Sequence, residues 1–266
     1  MTSTVVNTAI TRPAPTVETP AASVDWPAIP FRRLLRVEWG KATDTRAARW
    51  LLAMVAVSTT ALMLVPLLGN ARPDQTYVGY LDFAGVGLSI LLPVVSILTL
   101  TSEWSQRTVL TTFTQESRRT RVVTAKVAVS LLLALGGAAF GGLLTAATLG
   151  VAAASGRHLD ANLTVGVLVG YLLYVLLTVL TGVAFGALLH NSSLAIALSF
   201  ALPIAFGLLG LAVPSVGEWF DTSTTFNWIM LDQWSGHGPQ ILFSATLWLV
   251  LPLAAGLIRT VRREIH

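Results

Sequence analysis

The side chains able to do chemistry sit at the margins of this chain's apolar runs, and their spacing assembles no reaction centre. Asp82 and Glu103 stand at opposite borders of the apolar stretch 83–102, while His158, His190, His237 and His266 fall in connections, at the end of a run or at the terminus. A metal-activated water needs ligands at set spacing, as in HExxH, and a nucleophile needs a base beside it; the sequence offers neither pattern. Cysteine is absent, which removes disulfides, thiolate metal sites and thiol nucleophiles. No GxxxxGK[ST] run is present to cradle the phosphates of a nucleotide. The expectation is a chain that is not itself an enzyme and holds no cofactor or metal. A charge at mid-bilayer costs at least about 2.5–3.5 kcal/mol and is kept only where it works. No relay of Asp, Glu or His runs through the apolar stretches, so a proton-driven carrier is disfavoured and any uphill transport must draw its energy from elsewhere.

The elements that must carry these residues follow from composition. With 54 % hydrophobic and 11 % charged residues and a mean hydropathy of +0.71, the chain lies far from the soluble balance of roughly a quarter charged. Lipid is the solvent it is built for. Six apolar runs, at about 50–69, 83–102, 127–154, 163–189, 194–213 and 241–258, each approach or exceed the roughly 18–20 residues that a helix needs to span the hydrocarbon core. Backbone in hydrocarbon must satisfy its own hydrogen bonds, and continuous runs of this length do so as helices. The fold class expected is all-α: a polytopic membrane protein with six transmembrane helices in one domain over 31–266, preceded by a disordered tail over 1–30 that lacks the pattern of a signal peptide.

Sidedness comes from the basic residues, all of which avoid the apolar runs. Fifteen of the 17 Lys and Arg lie before the first run, between the second and third, or after the sixth, and the opposite connections hold only Arg72 and Arg157. The positive-inside rule then puts both termini in the cytoplasm. A pI near 10.0 could point to nucleic acid, but bases set beside span ends are explained by topology, with anionic lipid headgroups as counter-charge. No nucleic-acid partner is expected.

Three segments invite a functional reading. In Phe31 to Ala48, the residues Phe31, Leu34, Leu35, Trp39 and Ala42 share helical spacing, with Arg32, Arg33, Arg36 and Lys41 mostly off that stripe. This fits an amphipathic helix in the inner headgroup layer, the arginines reaching phosphates; a solvated basic linker is the alternative. The stretch 103–126 is polar and longer than a connector requires. It carries Glu103, Trp104, Arg107, Thr108, Phe113, Glu116, Arg118, Arg119, Arg121 and Lys126, and its apolar side chains Trp104, Val109, Leu110 and Phe113 could enter a partner's groove as a short helix. Its arginines equally serve the positive-inside rule. The third segment, 214–240, holds Trp219, Phe220, Phe226, Trp228 and Trp234, too apolar for a free loop and too short for a crossing pair. One or two short helices dipping into the outer leaflet, or an aromatic belt anchoring the last two spans, would each account for it.

These features together resemble the membrane subunits of type-2 ATP-binding-cassette exporters, the ABC-2-type permeases. The resemblance covers roughly 31 to 263: an amphipathic helix before six spans, Glu103 closing the second span, Arg107-Thr108 where that family usually has Gly-Thr, Arg118 and Arg121 in a basic stretch, and Lys126 opening the third span. The family's Gly is replaced by Arg107, and Gln115 and Glu116 stand where a Pro is often found. The resemblance implies that 103–126 couples to separate ATPase subunits, which would bind ATP and Mg, and that 214–240 forms a re-entrant external gate. It further implies a second copy of the chain or a related permease. The largely apolar bundle favours an amphiphilic or apolar cargo such as a drug, lipid or peptide, and a composition rich in Ala, Val, Leu and Gly is compatible with a bacterial inner membrane. A membrane scaffold or sensor that docks a cytoplasmic partner is the competing reading.

Overall fold

The computed structural model describes residues 29–68, 75–105, 118–160 and 163–262, and nearly all of them are helical. Helix α1 (Phe31–Thr43) follows Pro30 and closes where the Asp44 N–H donates to the Gly40 carbonyl at 2.8 Å. Two residues later α2 (Arg46–Leu68) begins, its first turn capped by the Thr45 hydroxyl accepting from Ala48 N–H at 3.1 Å. Then come α3 (Tyr77–Ser105), α4 (Arg119–Ala154), α5 (Val165–Leu189), α6 (Ser192–Ala212) and two short helices, α7 (Pro214–Phe220) and α8 (Thr222–Met230). The last crossing is α9 (Gly238–Ala245), a π-helical turn (Thr246–Val250) and α10 (Leu251–Arg262). Among the described residues, six helical segments are long and apolar enough to cross a membrane. A two-residue parallel pairing, β1 (Gln75–Thr76) with β2 (Leu159–Asp160), links the chain before α3 to the chain after α4.

The centre of the bundle is α3 against α5, flanked by α4 and α2. Of the most apolar stretch of each span, 56 % of α3 and 50 % of α5 is buried, against 6 % of α6. Small residues permit that contact. A side chain on Gly182 would sit 2.6 Å from the Pro93 carbonyl oxygen, and in the gap Ser96 Oγ donates to the Val179 carbonyl across the interface at 3.1 Å. Close backbone approach of this kind is how helices gain dispersion contacts in lipid, where hydrophobicity between helices gives nothing. Other glycines also face helices of the same chain: Gly137 meets Leu92 of α3, and a side chain on Gly170 would run into the Ile229 carbonyl of α8.

Two span starts differ most from the hydropathy reading. Helix α3 starts at Tyr77 rather than near 83, so Asp82 lies inside it, about 7.5 Å from its first residue at 1.5 Å per residue. Helix α4 starts at Arg119 rather than near 127, so Arg121 and Lys126 belong to the helix and not to a loop. Both shifts have one cause: a charged side chain that finds a partner on another helix does not have to end the span. The π-helical turn stands just before Pro252, whose ring would clash with the Trp248 carbonyl in a regular helix; the Leu251 N–H bonds to the Thr246 carbonyl instead.

Candidate functional site

At the end of the bundle where α1 lies, four charges from three helices meet. Glu38 occupies the middle of the α1 face turned to α3 and α4, with Ala42 one turn on, and is 2 % exposed. Lys126, in the third turn of α4, donates from Nζ to Glu38 Oε2 at 2.6 Å and to the Thr99 carbonyl at 3.2 Å, and lies 3.4 Å from Glu103 Oε1. Lys41 donates to Glu38 Oε1 at 2.6 Å and to Glu103 Oε1 at 2.7 Å. Each ammonium therefore bridges both carboxylates, and the two acids and two bases cancel. Ala42 and Ala125, both buried, leave room for the helices to come this close.

Burial of this degree is tolerated because the charges are compensated and hydrogen-bonded; removing one partner from such a set typically costs about 3–5 kcal/mol. Only Lys41 reaches solvent, its side chain being 42 % exposed. Partial burial works against its charge, yet hydrogen bonds to Glu103 and Glu38 and the field of both carboxylates outweigh that, and its pKa is raised above the ordinary lysine value.

Around this cluster the same end of the bundle is closed by further ties. The Trp104 ring lies 4.4 Å from that of His190, which ends α5 in the left-handed region at φ 52°. Thr101 and Ser192 hydroxyls share a hydrogen bond of 2.7 Å between α3 and α6, and Arg259 donates to the Leu188 carbonyl at 2.8 Å. Arg121 donates to the Ile29 carbonyl at 2.5 Å, tying α4 to the entry of α1.

Of the residues picked out for coupling, Glu103 is in the cluster, Trp104 is beside it, Arg118 is exposed, and Arg119 and Arg121 open α4. Arg107, Thr108, Phe113 and Glu116 lie outside the described residues, as does the tail up to residue 28. The apolar stripe of α1 divides: Ala42 is buried and Leu34 and Leu35 are partly buried, whereas Phe31 and Trp39 are 39 % and 41 % exposed. Glu38 was not singled out by sequence. Its signal was a carboxylate set among Leu34, Leu35 and Ala42, since an acid on the apolar face of an amphipathic helix implies a buried base.

At the opposite end, 214–230 folds as α7 and α8, with Asp221 capping α8 by accepting from Ser223 N–H at 3.0 Å and Thr224 N–H at 3.3 Å. The five aromatics of 214–240 do not form one group. Trp219 and Phe220 join Phe206 and Phe243 with ring centroids 5.2–5.5 Å apart, and Phe206 continues to Trp248. Trp248 Nε1 donates to the Phe220 carbonyl at 2.8 Å, which fixes α7 on the last span. Phe226 is buried in the main core, Trp228 stacks on His237 at 4.0 Å, and Trp234 is 39 % exposed. Here too lies the other acid of α3: Asp82 Oδ1 accepts from Asn227 Nδ2 of α8 at 3.2 Å.

Among the described residues, no group of three or more His, Cys, Asp or Glu is placed to hold a metal. Compared with known proteins, the chain matches no family model and no curated protein.

Proposed function

We propose that this chain is the membrane-spanning permease subunit of an ABC-type exporter, moving an amphiphilic or apolar substrate outward under the action of separate ATPase subunits. The observation that carries the reading is the cluster of Glu38, Lys41, Glu103 and Lys126. It binds α1 to the end of α3 and the start of α4, the two helices that flank residues 106–117. A partner that pushes on that stretch moves α3 and α4, and the cluster carries the displacement to α1 and, through a two-residue joint, to α2. The charges need no bond-making role. They make three helices move as one body, and the two arrangements of the bundle would differ in their affinity for cargo.

In this reading the α1 end faces the cytoplasm of a bacterial inner membrane, α7 and α8 cover the exit, and a second copy or a related permease completes the route. ATP and Mg belong to the partner subunits. The test is to purify the chain from its native membrane under mild detergent and reconstitute what comes with it. A stoichiometric ATPase and ATP-driven efflux are expected, with Glu103→Gln keeping ATP turnover but losing substrate movement. A chain that arrives with a non-ATPase regulator would favour the scaffold reading, and full transport by Glu103→Gln would remove the coupling role.

A further inference from the structure

Among the described residues, Asp82 is the only acid within a membrane-crossing helix that has no base beside it. It lies inside α3, is half-buried, and its only hydrogen-bond partner among the described residues is the Asn227 amide. No Lys, Arg or His pairs with it among those residues. An intramembrane carboxylate without a counter-charge is costly, and such residues face working cavities or ligands rather than inert packing.

Its position on α3 is equally specific. The helix is the most enclosed of the spans, and Val86 and Ile90 are its only large apolar side chains left exposed, at 38 % and 39 %. Asp82, Val86, Ser89 and Ile90 share one face at helical spacing. The carboxylate therefore heads the one open lane of the central helix. Next to it, Tyr174 of α5 packs over Gly85, and Asn227 comes from the short helix α8.

We infer that Asp82, Asn227 and the open lane of α3 from Val86 to Ile90 form a binding site for an amphiphile bearing a single positive charge, an organic ammonium or phosphonium. The carboxylate supplies the counter-charge, the Asn227 amide orients it, and the lane takes the apolar body. A hard metal cation fits poorly. Magnesium or calcium takes six or more oxygens, and Asp82 belongs to no group of three or more acids or histidines among the described residues. That such an amphiphile is cargo rests on the exporter reading; that it binds does not.

The experiment uses the purified full chain in lipid nanodiscs, with radiolabelled tetraphenylphosphonium as probe and tetraphenylborate, of the same size and opposite charge, as competitor. Saturable cation binding is expected, untouched by tetraphenylborate. Asp82→Asn keeps an oxygen for the Asn227 amide and should weaken binding by about tenfold or more, because it removes the counter-charge. Asp82→Glu should restore part of it. A wild-type chain that binds no probe, equal competition by the borate, or unchanged binding by a folded Asp82→Asn overturns the proposal and leaves Asp82 as a carboxyl that only positions α8. None of these measurements needs ATP or a partner. If the site binds the cation but no ATPase co-purifies, the exporter reading fails and the site stands; if neutral amphiphiles are exported while Asp82→Asn changes nothing, the reverse holds.

Discussion

The two ends of α3 carry one carboxylate each, and they are treated in opposite ways. Glu103 is locked among two lysines and a second glutamate, while Asp82 has one neutral amide among the described residues. The first arrangement neutralises charge to hold three helices together. The second leaves a charge available, which is of no use for stability but is what a ligand site requires. The contrast teaches that burial alone does not assign a role to an ionisable group in a membrane protein; the number and sign of its partners does.

Removing charge should therefore have very different consequences at the two ends. The largest effect is expected for Lys126→Met, which removes the buried base and leaves Lys41 alone to compensate Glu38 and Glu103: a loss of about 3–5 kcal/mol, read as a lowered melting temperature in detergent. Pairing it with Glu38→Gln should recover part of that loss, and strictly additive losses would show that the two are not coupled. Next comes Gly170→Ala, where the added methyl meets the Ile229 carbonyl and must displace α8; about 1–3 kcal/mol is the usual cost of such overpacking. Because the chain has no native cysteine, a single reporter cysteine at Ser223 would show the displacement as faster labelling, and unchanged labelling would mean that α8 does not rest on α5.

Asp82→Asn should by comparison cost about 1 kcal/mol or less, the net worth of one hydrogen bond that the substitution largely keeps. A melting loss as large as that of Lys126→Met would place Asp82 with the structural charges and erase the contrast. The smallest effect concerns Lys41 and pH. Its folded pKa is raised, so its contribution is complete below the unfolded value of 10.5 and fades as pH climbs through the higher folded value. Wild type should lose melting temperature above pH 10.5 more steeply than Lys41→Met, and parallel curves would show that the ammonium contributes nothing to the cluster.

Much of the scaffold could be read in advance, because length and apolarity suffice to specify membrane helices. The six crossings, the helix before them and the short helices after α6 all follow from runs of residue type. What was misplaced were the starts of α3 and α4, where Asp82 and Lys126 interrupt apolar sequence. Hydropathy treats an interrupting charge as a border, whereas Asn227 and Glu38 allow the helix to continue through it. The aromatic segment shows the same limit. Trp219 and Phe220 stood out, but Phe206, Phe243 and Trp248, which receive them, looked like ordinary span residues.

Composition and periodicity thus determined that the chain would be a bundle of apolar helices, since a run that spans hydrocarbon must be predominantly apolar and every backbone group in it must bond locally. Which charges are compensated, and by what, was decided only when Glu38, Glu103 and Lys126, separated by 65 and 23 residues in sequence, met in one place. Coulomb energy and desolvation depend on distance in space, and a linear sequence does not contain it.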